Sequence, residues 1–159
     1  MNYRKIVEDR KRRGDIDIVK VRLSNYGKNL KLIDEIKSEI RGKRDRLGML
    51  RCGWSDSDPT SGGGSSQEEK IIFMLDEIQS LEDEIKEIRR GDREIRKAIS
   101  MLNDNMLESI VFRLWVYDKG CKYHDTIRGL AVRYDLSKSM IWRKSDIALL
   151  SIYKSLYND

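Results

Sequence analysis

The sequence holds one proline (Pro59), one histidine (His124), two cysteines, and no apolar run near the ~20 residues that a membrane helix needs. Each scarcity excludes something. A single proline among 37% charged and 39% hydrophobic residues favours long, solvated helices over a thick β-core. Cys52 and Cys121 sit in separate segments and are too few for a disulfide framework, which points to a reducing cytoplasm. The start "MNYRKIVEDRKRRG" is too polar for a signal peptide. Cys121 and His124 have a metal-like spacing, but a structural zinc needs about four ligands and no further histidine exists. No metal and no cofactor are expected. "SGGGSS" lacks the Gly-Lys-Ser/Thr ending of a phosphate loop. Carboxylate pairs such as Asp83 and Glu87 fall on a solvated helix face. With no nucleophile, base and orienter to assemble, the chain is not expected to be an enzyme.

What is abundant is charge, unevenly laid out. The net charge is +5. Residues 1–53 carry 16 Lys/Arg against 8 Asp/Glu, residues 54–108 carry 7 against 14, and residues 109–159 carry 9 against 5. A basic–acidic–basic order suggests a polyanion partner at the ends and solvated or protein-facing surface between them. The run "RKIVEDRKRR", residues 4–13, suits a DNA-binding arm or a solvated helix end.

The one low-complexity stretch, "SDSDPTSGGGSS" at 55–66, reads as a flexible linker. Before it lies a basic helical segment, 1–54, with apolar residues at Leu23, Tyr26, Leu30, Ile33, Ile40 and Leu47; Lys37 and Arg44 interrupt the stripe. After it, 67–102 is a charged helix with coiled-coil spacing: Ile71, Leu75 with Met74, Ile78, Leu81, Ile85, Ile88, Ile95, Ile99 and Leu102. Gly91 and Asp92 predict a break there, or a new helix capped by Asp92. Neither helix can bury its stripe alone, so an antiparallel hairpin or a pairing with a second copy is expected.

Residues 103–159 read as a separate helical domain. "NMLESIVFRLWVY" predicts a dense helix over 105–117 that Gly120 stops. Asp125 or Thr126 caps a helix over 126–134, and Ser137 caps another over 138–157. Ala131 is the small residue that a helix-turn-helix needs at its crossing, with Ile127, Leu130 and Tyr134 facing inward, Leu136 at the corner and Ile141 leading the second helix. Asp135 stands where glycine is often found; aspartate tolerates the left-handed region better than most residues. The outer face is then Ser137, Lys138, Ser139, Met140, Trp142 and Arg143, with Asp146 beyond. Lys138 and Arg143 suit guanine acceptors or phosphates, Ser139 suits bases or backbone, and Met140 suits a thymine methyl. Trp142 suits either the sugar–phosphate backbone or an apolar patch of the protein. Lys119, Lys122, Arg128, Arg133 and Lys144 are placed to clamp phosphates on either side.

"TIRGLAVRYDLSKSMIWRKSDIALLSIYKSL" resembles the helix-turn-helix of sigma-factor region 4. The order of parts resembles the phage-encoded ArpU/RinA-like transcriptional regulators. The likeness in layout covers most of the chain and that in motif about 50 C-terminal residues. The sequence departs from the pattern at Asp135, at Arg128-Gly129 where an acidic pair is usual, and in the longer "KGCKYHDT" loop. The resemblance implies an all-α chain: a long antiparallel hairpin or coiled coil, then a sigma-like helix-turn-helix. It also implies a cytoplasmic, nucleoid-associated activator of phage or prophage late or packaging genes. Such a protein binds double-stranded DNA beside host RNA polymerase, with its long helices expected either to dimerise or to meet the polymerase, and needs no membrane. The other class to weigh is a small terminase-like DNA-recognition subunit of a phage packaging motor, which would form a ring. A third is a coiled-coil protein whose sigma-like unit binds protein only.

Overall fold

A computed structural model of the protein describes residues 3–52 and 66–157, with side chains from Glu8 onward. Apart from Ser66, the expected linker at 55–66 lies outside the described residues. The protein is all-helical: α1 (Tyr3–Arg51), α2 (Gln67–Gly91), α3 (Arg93–Ser100), α4 (Asn105–Val111), α5 (Ile127–Tyr134) and α6 (Lys138–Tyr157), with no strand among the described residues. None of these helices is long and apolar enough to cross a membrane.

Two compact units form. One gathers the chain up to Leu30 with everything from Asp92 onward; the other is Lys31–Gly91. This grouping differs from the segments expected along the chain, because α1 serves both units. Its buried positions Val19, Tyr26, Ile33, Ile40 and Leu47 recur every seven residues. In the first unit their companions are Ile16 and Leu23; in the second the companion is Ile36.

The Lys31–Gly91 unit is the antiparallel hairpin, closed within one chain. Ile33, Ile36 and Ile40 of α1 pack with Ile78 and Ile85 of α2, flanked by Met74, Leu81 and Ile88. Each such isoleucine contributes roughly 1.5–3 kcal/mol by leaving water. Antiparallel register follows from the pairs: Gln67 Nε2 donates to the Leu50 carbonyl at 2.7 Å, Lys43 meets Glu77, and Arg44 meets Glu82. Two seam positions are corrected. The stripe runs through Ile36 and Lys43, leaving Lys37 and Arg44 exposed, and Met74 packs in the seam where Leu75 stays exposed. The cause is a step of three residues from Ile33 to Ile36, where an alternating pattern would have taken four.

In the other unit, Ile16, Val19, Leu23 and Tyr26 of α1 share a core with Ile95, Ala98 and Ile99 of α3, Val111 and Val116, and Ala148, Leu149 and Ile152 of α6. The helix does break at Asp92, but the carboxylate does not cap α3. Asp92 holds a seven-residue-repeat position and so points inward. Its Oδ1 accepts from Asn29 Nδ2 at 2.8 Å, while Oδ2 is buried without a partner among the described residues.

The helix expected over 105–117 is not uniform. Asp104 Oδ1 caps α4 by accepting from the backbone of Met106 and Leu107 at 2.8 and 3.1 Å. From Phe112 to Val116 the chain widens into a π-helical turn, closed by Tyr117 N–H to the Phe112 carbonyl at 2.9 Å. The helix stops where Tyr117 turns extended, three residues before Gly120.

Candidate nucleic-acid interface

The local chemistry of α5 and α6 follows the sequence closely. Thr126 Oγ1 caps α5 by accepting from Gly129 N–H at 3.1 Å. Asp125 lies beside this cap: it accepts from Thr126 N–H at 2.8 Å and from Arg133 Nε at 3.4 Å. A Cβ at position 129 would fall 1.9 Å from Asp125 Oδ1. Gly129, where the sigma pattern has an acid, makes room for this neighbouring carboxylate.

The corner is a Schellman closure. Asp135 sits in the left-handed region, φ 51° and ψ 48°, and its N–H reaches the Val132 carbonyl at 3.4 Å. Leu136 N–H reaches the Ala131 carbonyl at 3.0 Å. Leu136 then packs with Leu130, Ala131, Ile110 and Ile141, the apolar contact that accompanies such a stop. Ser137 Oγ starts α6 by accepting from Met140 N–H at 3.2 Å, and it lies 3.0 Å from Ser139 Oγ.

From this start α6 divides cleanly. Ile141, Ser145, Ala148, Leu149 and Ile152 are buried, whereas Lys138, Ser139, Met140, Trp142 and Arg143 are exposed. Trp142 keeps 47% of its surface in water. The buried face is held by more than apolar contact: Trp115 Nε1 donates to the fully buried Ser145 Oγ at 2.9 Å. Lys20 Nζ lies 4.4 Å over the same indole.

The other basic residues are placed less uniformly. Lys119 and Arg128 are exposed, with no ion pair among the described residues. Arg133 is exposed but engaged by Asp125. Lys122 lies 4.8 Å over the Tyr123 ring, and Lys144 is half-buried at the edge of the α6 face. Ser137 spends its hydroxyl on the cap. Residues 119–144 carry seven Lys/Arg against two Asp, so the field around the corner is positive.

Val132 and Ile147 are exposed apolar residues that sequence reasoning missed. Val132 is 80% exposed on α5, one turn beyond Arg128. Its position opposite Leu130 on the helix was the available signal. His124 is a loop residue whose Nδ1 lies 3.0 Å from the Tyr117 carbonyl. Among the described residues no group of three His, Cys, Asp or Glu is gathered as a metal site. No protein-family model, curated protein or solved structure matches the chain.

Proposed function

We propose that the protein is a sequence-specific DNA-binding transcriptional regulator, with the first turns of α6 as its reading element. The observation that carries this reading is the division of α6. Lys138, Ser139, Met140, Trp142 and Arg143 stand free in water, while the opposite face is locked by burial and by the Trp115–Ser145 bond. A helix held rigidly behind and offering donors, a thioether and an indole in front suits a major groove. Lys119, Arg128 and the half-buried Lys144 suit phosphate contacts that set orientation. The resemblance to ArpU/RinA-like regulators adds the expectation of activation at phage or prophage late genes, beside host RNA polymerase.

The test is selection of bound duplexes from a random-sequence pool, followed by titration of the winner against bulk DNA. The expected result is an enriched sequence whose preference disappears in Lys138→Ala/Arg143→Ala. No enrichment, or an unchanged preference in that variant, would sink the reading. Light-scattering mass on the same samples separates the packaging alternative: a monomer or dimer fits a regulator, and a large ring fits a packaging subunit.

A further inference from the structure

The two flanks of the hairpin differ in a way the recognition helix does not explain. On one flank, Glu35 and Glu39 lie along α1 with Lys43, whose Nζ is held by Glu39 at 3.6 Å and Glu77 at 2.9 Å. Charge there is cancelled locally. The other flank is an open groove of about 750 Å³ between α1 and α2, floored by Ile40 and Ile85. Lys37, Arg41, Arg44, Lys86 and Arg89 line it, against two carboxylates, Asp34 and Glu82. Glu82 is taken by Arg44, and Lys86 is held by Asp83 at 2.7 Å. Lys37, Arg41 and Arg89 have no ion-pair partner among the described residues, although the hairpin is otherwise rich in carboxylates.

We propose that this flank of the hairpin is a second, sequence-independent contact for duplex DNA, with Lys37, Arg41 and Arg89 neutralising phosphates of one strand. The identity of the polyanion rests on the DNA-binding reading above; the site itself does not use α6. Lys37 and Arg41 are four residues apart, so they share a helix face. At about 1.5 Å of rise per residue they are separated by roughly 6 Å along the axis. The same length of duplex carries about two phosphates per strand, one for each ~3.4 Å. Antiparallel pairing brings Arg89 across from Lys37, which makes the cations a two-rank patch. Its apolar floor keeps the field from being dissipated inward. Such contacts add affinity and salt dependence without reading bases.

The experiment compares three variants of the full chain, titrated with the selected duplex and with random duplex at several salt concentrations. The first is Lys37→Gln/Arg41→Gln/Arg89→Gln. The second, Lys31→Gln/Arg46→Gln/Lys70→Gln, removes the same charge from the opposite flank. The third is Lys138→Ala/Arg143→Ala. Glutamine keeps helix propensity at exposed sites, and circular dichroism checks that the helices persist. The groove variant should flatten the slope of log affinity against log salt by about two to three. It should also weaken binding to both duplexes by about tenfold or more near 0.1 M salt, leaving their ratio unchanged. The opposite-flank variant should leave the slope within about half a unit of wild type. An unchanged slope in the groove variant, or equal effects from both flanks, overturns the proposal. If that happens while the α6 variant loses its preference, the regulator reading survives alone. A flattened slope with no sequence preference in any protein supports the groove and removes the regulator.

Discussion

Gly27 of α1 lies against the backbone carbonyl of Val116, so closely that a Cβ at position 27 would stand 1.8 Å from that oxygen. The π-helical turn ends there, and the glycine lets α1 settle onto it. Alanine normally favours a helix over glycine by about 1 kcal/mol. At this position the collision should reverse the sign, so Gly27→Ala is expected to destabilise the protein by about 1–3 kcal/mol. Gly42 lies in the same helix with nothing within 4 Å of its missing Cβ. Gly42→Ala should therefore stabilise by about 0.5–1 kcal/mol. Urea midpoints of the two variants are the measurement, and equal gains from both would refute the close contact.

Ser145 is a buried hydroxyl with one clear task, accepting the indole N–H of Trp115. Ser145→Ala leaves that donor without its partner and should cost about 1–3 kcal/mol. Ser151, exposed on the same helix, is the control, with an expected change within about 0.5 kcal/mol. If both substitutions cost the same, the bond adds nothing to the fixing of α6.

Lys43 occupies the hairpin seam with only 17% of its side chain exposed. Its partners Glu39 and Glu77 stay 56% and 39% exposed, so the pairs are screened by water while the lysine is desolvated. An apolar residue of similar volume often contributes more, whereas a charge there opposes wrong registers. Lys43→Met is expected to raise the thermal midpoint and to give larger species in light scattering, because the seam then becomes apolar throughout. A lowered midpoint with unchanged mass would show that the Glu39 and Glu77 pairs outweigh their desolvation.

Burial pushes the Tyr26 hydroxyl above its ordinary value of 10.0; the positive charge of Arg96 opposes this, and Asp92 and Tyr117 add to it. Above pH 10 the unfolded chain loses this proton while the fold retains it. The folded state then binds more protons, and stability falls as pH rises. Tyr26→Phe should lose less of its thermal midpoint than wild type between about pH 9 and 11. Partial desolvation, with a hydrogen bond to Asp15 and the charges of Asp15 and Tyr157, shifts Tyr153 in the same direction. A midpoint that falls as steeply in Tyr26→Phe as in wild type would rule this out.

The parts legible in the sequence were those governed by neighbours along the chain. Thr126 and Ser137 as caps, the apolar set Ile127, Leu130, Tyr134, Leu136 and Ile141, and the left-handed Asp135 all follow from spacing and residue type. The heptads of α2 were readable for the same reason. Ile36 was legible too, since Ile33, Ile36 and Ile40 keep a three–four spacing; extending the stripe by alternation alone, to Lys37, missed it. What else escaped depended on distant partners. Asp92 resembles a cap by residue type, while its repeat position turns it inward; its partner Asn29, 63 residues back, could not be read from the sequence. The π-helical turn likewise belongs to a meeting with Gly27, which lies far back in α1. At the candidate interface, the exposure of the α6 face was readable, but the capture of Arg133 by Asp125 was not.

The sharing of α1 between two units has a consequence for the order in which the protein is built. Lys43 and Glu77 in the hairpin are 34 positions apart, whereas Arg22 and Tyr157, joined in the other unit at 3.2 Å, are 135 apart. The shorter loop closes more readily, so the hairpin has the kinetic advantage. The unit bearing α5 and α6 has to wait until the ribosome has delivered Ile152 to meet Val19 and Leu23. At about 5–20 residues per second, the stretch from Gly91 to Ile152 takes about 3–12 seconds, during which the α6-facing part of the α1 core is uncovered. Slower translation beyond Gly91 is therefore expected to lengthen the exposure of that apolar face to chaperones and to aggregation.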